Sequence, residues 1–150
     1  MAETLGSLFD KITIIKLKQF HSSDLARLNS LREQEKRIQK EIDQFASSAL
    51  NGLIPLNQLS FKSNKVFKRR GNKISQINGN FGKLFSLLAE VNCNLWHVQE
   101  KVYEFEKVPV EDKDNVIKQL AVLNLERNKC IDEIDKNFIK LVNKNISKSK

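Results

Sequence analysis

Very few residues in this chain interrupt a helix. The sequence contains two prolines and five glycines in 150 residues, and apolar side chains recur between them at three- and four-residue steps. That spacing places apolar side chains on one face of an α-helix, whereas a half-buried strand would alternate. Long helices are therefore expected to dominate the fold. The chain is also long enough for a single domain to bury a core of its own.

The apolar steps predict helices at about 3–20, 23–46, 81–107 and 111–145. Ser22 or Ser23 offers an N-cap oxygen for the second helix. The third should end at Val108, because the residue before a proline is pushed out of the α region. The predicted stripes are Leu5, Leu8, Phe9, Ile12, Ile15 and Phe20 in the first helix, Leu28, Leu31, Ile38, Ile42 and Phe45 in the second, Leu84, Leu88, Val91, Leu95, Val98, Val102 and Phe105 in the third, and Val116, Leu120, Leu123, Ile131, Ile134, Phe138 and Leu141 in the fourth.

The connections predict how these helices pair. Short links after the first and third helices make each pair an antiparallel hairpin. We therefore expect an all-α fold, an antiparallel four-helix bundle of two helical hairpins with coiled-coil-like long helices, forming one domain over 1–146 with a basic tail at 147–150. Residues 47–80, rich in Gly, Ser and Asn, form a long irregular basic connection that has room for a short helical turn near 56–59. The first helix is short, so part of the apolar stripes of the longer helices is left uncovered and available to a second subunit. We therefore expect a homo-oligomer.

Two stripes carry a charged residue where an apolar one is expected. Glu35 interrupts the second stripe and Arg127 the fourth, and a charge on an apolar face is costly unless it is paired. The two stripes are therefore expected to meet at an internal ion pair or network, in which the candidate partners of Arg127 are Glu35, Glu100 and Asp10. Such a network either fixes helix register or borders a pocket for a small anionic or sugar-like ligand, unless these residues face water. Its candidate members are Asp10, Lys11, Glu35, Asn92, Trp96, Glu100, Asn124 and Arg127.

The run VNCNLWHVQEKVYEFE at 91–106 raises the question of metal binding or catalysis. His97 lies four residues after Cys93 and three before Glu100, so these side chains could converge from one helix. Zinc needs three or four ligands, and a di-iron bundle needs a second Glu-x-x-His motif that the sequence does not contain. No catalytic motif is recognisable either. We expect no metal, no cofactor and no enzymatic activity.

The net charge of +8 is concentrated in two segments. Residues 60–73 hold six basic residues and no acid, and 140–150 hold four more. Removing those ten of the 26 basic residues leaves 16, against 18 acidic residues. Basic groups interleaved with Phe favour contact with phosphates and unpaired bases, so nucleic acid or another polyanion is a candidate partner. The alternative is a solvated loop whose two Phe pack on the bundle. The proposed contact residues are Lys62, Lys65, Phe67, Lys68, Arg69, Arg70 and Lys73.

Three blocks of the chain resemble a bacterial and phage family of uncharacterised helical proteins. GSLFDKITIIKLK, VNCNLWHVQEKVYEFE and LAVLNLERNKCIDEID are similar to its patterns G-x-L-x-D-K-I-T-I-L, V-N-x-x-L-W-x-x-E and N-x-x-R. The resemblance covers about half of the chain and implies at most a link to surface glycan assembly, since such proteins tend to be encoded beside glycosyltransferases. It selects Asp10, Lys11, Thr13, Asn92, Trp96, Glu100, Asn124 and Arg127.

The sequence contains no apolar run near the ~18 residues that a membrane span needs, and its N-terminus lacks the basic region of a secretory signal. A cytoplasmic location is therefore expected. The function we expect is that of a non-enzymatic helical interaction or assembly protein with an internal polar network. The alternatives are polyanion binding through residues 60–73, and a small anionic or sugar ligand pocket linked to surface glycan assembly.

Overall fold

The structure, a computed structural model, describes residues 3–61 and 77–149 and confirms the all-α prediction. Within these residues there are four α-helices and no strand. The helices are α1 (Leu5–Phe20), α2 (Leu25–Leu50), α3 (Phe81–Tyr103) and α4 (Val110–Lys148). Short 3-10 turns lie at Leu56–Gln58 and Phe105–Lys107. The first of these turns falls where the sequence left room for one.

Local capping decides where two helices begin. Thr4 caps α1 in a capping box, in which the Thr4 and Ser7 side chains each accept from the other residue's backbone N–H. The prediction of Ser22 or Ser23 as the cap of α2 is wrong, because the Asp24 carboxylate accepts from the backbone N–H groups of Ala26 and Arg27. Asp and Ser are comparable as caps, so the sequence alone did not separate them.

Three helix ends differ from their predicted positions. α4 continues to Lys148, past the predicted end at 145 and into the tail expected at 147–150. α2 continues to Leu50, into the connection expected to be irregular, and it stops before Gly52, whose φ of +72° suits glycine. α3 ends at Tyr103, and the chain then tightens into the 3-10 turn ahead of Pro109 instead of adding another α-helical turn.

The helices pair as the two predicted hairpins, α1 with α2 and α3 with α4. α1 also contacts both α3 and α4, so it forms the link between the hairpins. α2 packs mainly on α1 and touches α4 only slightly, and only three of its 26 residues are buried. α4 is by far the longest helix, about 58 Å at 1.5 Å per residue. The order of packing therefore places α1 between α2 and the α3–α4 pair.

Two apolar clusters form the core, and the partly buried ring of Phe9 packs against both. The predicted stripes hold over most of their length, but two members do not. Phe20 is 84% exposed because five residues after Ile15 a helix has turned away from the buried face. Leu141 is half-exposed, and Val142, four residues after Phe138, is buried in its place. The first cluster comprises Leu84, Leu88, Val91, Leu95, Val98, Val116, Leu123, Cys130, Ile131 and Ile134, and the second Leu5, Leu8, Phe45, Ala49, Leu59, Phe138 and Val142.

α1 lies tightly against α4 at Gly6. A Cβ built there would lie 2.6 Å from the carbonyl oxygen of Ile131 and 2.9 Å from Oδ1 of Asp135. The Gly6 backbone N–H also donates to Asp135 Oδ1 at 2.7 Å. A side chain at this position would push the two helices apart and stretch that bond, so here glycine allows the close packing of two helices.

We predict that Gly6→Ala lowers the free energy of unfolding by about 1–3 kcal/mol, because the added methyl overpacks a backbone contact. The matched control is Gly82→Ala in α3, where an added Cβ meets nothing within 4 Å. That change should be neutral or stabilising by up to about 1 kcal/mol, since alanine favours helix over glycine. Urea unfolding followed by circular dichroism measures both; equal effects of the two substitutions would contradict the close packing.

Candidate functional site

A carboxylate of α1 is held at the junction of three helices. Asp10 is 5% exposed. Its Oδ1 accepts from Arg127 Nε of α4 at 2.8 Å and from Asn92 Nδ2 of α3 at 2.9 Å, and its Oδ2 accepts from a second Arg127 nitrogen. A bidentate contact between an arginine and a carboxylate fixes the angle between the two groups as well as their distance. The hydrogen bonding to Asp10 raises the pKa of Arg127, so the guanidinium stays charged in the fold.

Thr13 completes this arrangement on α1. Its hydroxyl donates to the backbone carbonyl of Asp10 at 2.8 Å and accepts from Asn92 Nδ2 at 2.7 Å. Asp10 and Thr13 lie three residues apart and therefore share a helix face. We call Asp10, Thr13, Asn92 and Arg127 the polar network. Reasoning from the stripes missed Thr13, although its spacing from Asp10 could have pointed to it and the resemblance did include it.

Of the three candidate partners of Arg127, the structure bonds Asp10 to it, and Glu35 is not part of the polar network. Its carboxylate accepts from Lys16 Nζ at 3.1 Å and from Gln19 Nε2 at 2.8 Å, both on α1. These contacts lower the pKa of Glu35, the Gln19 hydrogen bond most of all. The apolar stripes of α2 and α4 do not meet at Arg127, because α1 lies between the two helices at the position of Asp10. Lys11 also lies apart from the network, paired with Glu3 near the protein surface.

A pocket of about 560 Å³ opens beside the polar network, between α1, α3 and α4. We call it the network pocket. Its inner lining includes Asn92 and the half-buried Arg127, whereas Glu100 and Tyr103 are well exposed at its outer side. Trp96 donates from Nε1 to Glu100 at 2.9 Å. The full lining is Ile14, Leu17, Lys18, Asn92, Leu95, Trp96, Gln99, Glu100, Tyr103, Leu120, Asn124 and Arg127.

The structure thus brings together six of the eight candidate residues. Five of them line the network pocket, and Asp10 lies behind it, bonded to Arg127. Asn124 lines the pocket, while its Nδ2 donates to the carbonyl of Leu120 one turn earlier. Sequence reasoning gave no role to His21, whose ring stacks on Trp96 with centroids 4.7 Å apart and planes 8° from parallel. No pattern indicated that contact, because it depends on how the turn after α1 folds back toward α3.

The cysteine, histidine and carboxylate groups form no metal centre in the part of the chain that the structure describes. Cys93 is half-buried and Cys130 fully buried. Burial raises the pKa of the Cys130 thiol to about 11, and the nearby carboxylates of Glu126 and Asp10 add to that rise. The Cys130 thiol is therefore protonated at neutral pH and is a poor nucleophile.

The prediction of polyanion binding concerns residues that the structure does not describe. Lys62, Lys65, Phe67, Lys68, Arg69, Arg70 and Lys73 all lie outside the described residues. Phe61, just before them, is about half-exposed. In the described part of the chain, no helix combines the length and apolarity needed to cross a membrane.

Comparisons with family models, with curated proteins and with solved structures return no match for this chain. The resemblance of three sequence blocks to a helical family therefore stays a prediction.

We predict that Arg127→Met lowers the free energy of unfolding by about 2–4 kcal/mol, because it leaves the buried Asp10 carboxylate without its cation. As a control, Glu33→Ala removes an exposed ion pair with Lys36 and should leave the unfolding midpoint unchanged. Both effects can be read from urea unfolding at pH 7. An unchanged midpoint in the Met variant would show that the network does not stabilise the helix packing.

A second buried carboxyl, Asp135 of α4, predicts a pH dependence of stability. Its burial raises the pKa from 3.8 to about 6, while the Gly6 N–H that it accepts opposes the rise. The folded state therefore binds this proton more tightly than the unfolded state. The contribution of Asp135 to stability therefore falls as the pH rises from about 4 to about 6, and the loss persists at higher pH.

Asp135→Asn removes the ionisation and keeps an acceptor for Gly6. Relative to the wild type, the variant should gain up to about 3 kcal/mol of unfolding free energy between pH 4 and pH 7. Urea unfolding at pH 4, 5, 6 and 7 measures the change. Asp43→Asn, at an exposed position of α2, serves as the control and should run parallel to the wild type. Parallel curves for Asp135→Asn would contradict the raised pKa.

Proposed function

We propose that this protein is a non-enzymatic binding protein whose network pocket takes a small, uncharged, hydroxyl-rich ligand of the sugar type. The observation that supports it is that the polar network borders an open pocket on one side. Asn92 and Arg127 reach from the network to the inner lining of an open pocket of about 560 Å³. That volume lies within the range of about 300–1,000 Å³ typical of small-molecule sites.

The charges of the pocket favour an uncharged ligand over an anion. Arg127 would be the natural anion-binding group, but its guanidinium already makes a bidentate contact with Asp10. To bind an anion as well, it would have to share or give up that contact, which leaves a buried carboxylate poorly compensated. Glu100 adds a negative charge to the lining that offsets the positive charge of Lys18, so the two together do not favour an anion.

The remaining lining suits a ligand that has both apolar and hydroxyl-bearing faces. Ile14, Leu17, Leu95 and Leu120 supply aliphatic surface, and the rings of Trp96 and Tyr103 supply broad aromatic surface. The amides of Gln99 and Asn124 offer donors and acceptors to hydroxyl groups. A few polar groups set in a mainly apolar wall fix the orientation of a ligand without requiring it to carry charge.

The other expectations from the sequence remain part of the proposal. A role in assembly as a homo-oligomer is supported by α2, which packs mainly on α1 and has few buried residues. Polyanion binding through residues 60–73 is supported by their sequence alone, as is a cytoplasmic location. The link to surface glycan assembly depends on the resemblance and is compatible with a sugar-binding pocket.

The test is a titration with D-glucose, D-galactose and N-acetyl-D-glucosamine, with D-glucuronate as the charged counterpart. Trp96 is the only tryptophan, so its indole N–H gives one reporter signal at the pocket in ¹H–¹⁵N NMR spectra. We expect saturable shifts with at least one neutral sugar and weaker binding of glucuronate. Leu120→Phe, which fills the pocket, should weaken binding at least about tenfold, or about 1.4 kcal/mol.

Ile117→Phe provides the matched control, because it adds the same ring to α4 at an exposed position outside the pocket lining. Its affinity should equal that of the wild type. The proposal fails if none of the neutral sugars binds, if Leu120→Phe leaves the affinity unchanged, or if glucuronate binds more tightly than the neutral sugars.

A further inference from the structure

A second pocket lies on the α2 side of Trp96, where the turn after α1 leads into α2. Its volume is about 440 Å³. We call it the cationic pocket, because Lys18 and Arg27 line it, beside His21, and no carboxylate does. Leu31, Gln34 and Trp96 complete its wall together with Ser22. Trp96 and Lys18 border the network pocket as well, so the two pockets are neighbours.

The cations of this pocket are not neutralised by the groups around them. Among the described residues, neither Lys18 nor Arg27 forms a side-chain ion pair. Three acids close to Arg27 in the sequence bond to other groups, and one of them, Glu33, pairs with Lys36. Asp24 accepts from backbone amides at the start of α2, and Glu35 accepts from Lys16 and Gln19. The pocket therefore has a net positive lining that an anion would compensate.

The Ser22 hydroxyl points to the same kind of ligand. Its oxygen is buried and has no hydrogen-bond partner within the described part of the chain. A buried polar atom without a partner is costly, and an unfilled ligand position is one physical reason for it to occur. A hydroxyl can donate to an oxyanion that Lys18 and Arg27 attract from the other side.

We propose that the cationic pocket is an oxyanion site that binds a phosphate group through Lys18, Arg27 and the Ser22 hydroxyl, with His21 at its wall. Arg27 supplies the planar fork that suits phosphate, and Lys18 supplies a point charge. The phosphate belongs either to free inorganic phosphate or to a larger molecule, such as a phosphorylated sugar, that also enters the network pocket past Trp96. The site itself does not depend on the function proposed for the network pocket.

The experiment titrates the full chain with inorganic phosphate at low salt and follows the Trp96 indole signal. We expect saturable binding, and Arg27→Gln should weaken it at least about tenfold because a charge-assisted contact is lost. Arg32→Gln is the matched control, since Arg32 carries the same charge on α2 and lies outside the pocket. It should leave the affinity unchanged. No saturable binding, or equal losses in both variants, would overturn the proposal.

A parallel titration with glucose 6-phosphate distinguishes the two sources of phosphate. Tighter binding than inorganic phosphate, reduced by both Arg27→Gln and Leu120→Phe, would support a single ligand that spans the two pockets. Equal affinity for both probes, reduced by Arg27→Gln alone, would support free phosphate. The function proposed for the network pocket is tested separately by the neutral sugars, so it can fail while phosphate binding holds, and the reverse.

Discussion

The carboxylate of Asp10 lies between three helices and is almost completely shielded from water. A charge in that position is costly unless it is paired, and here the compensation comes from two different helices. Arg127 of α4 binds both carboxylate oxygens, and Asn92 of α3 adds a third donor. α1 can therefore sit on the α3–α4 pair in few other registers, because a shift by one turn would bury the charge without its partners.

A second contact holds α1 against α4 near the start of α1. Gly6 brings the backbone of α1 against that of α4 and donates to the buried Asp135. Gly6 and Asp10 are four residues apart, about 6 Å along the helix. One contact thus limits the distance between α1 and α4, and the other limits rotation and sliding. α2 then packs on α1, and its position follows from that of α1 more than from direct contact with α4.

Helical periodicity predicted the architecture but not the order in which the helices pack. The stripe of α3 is buried from Leu84 to Val98, as expected from its spacing. Arg127 was correctly identified as a charge that needs an internal partner. Asp10 was one of its three candidate partners, but the spacing alone could not choose it over Glu35 or Glu100, because Glu35 interrupts an apolar stripe whereas Asp10 lies beside Lys11. Stripes show which face of each helix is apolar, but only packing decides which helices lie side by side.

The pockets were even less accessible to sequence reasoning, for two different physical reasons. The network pocket lies at the junction of three helices, and Asn92, Asn124 and Arg127 are among its polar lining residues. Their polarity was visible in the sequence, but the space beside them was not. The cationic pocket depends on a turn of four residues, 21–24, that brings His21 against Trp96 and leaves the Ser22 oxygen buried. Periodicity carries no information about such a turn. Helical periodicity therefore predicts the fold, whereas the pockets depend on polar residues within the apolar stripes and on the turn after α1, which periodicity does not predict.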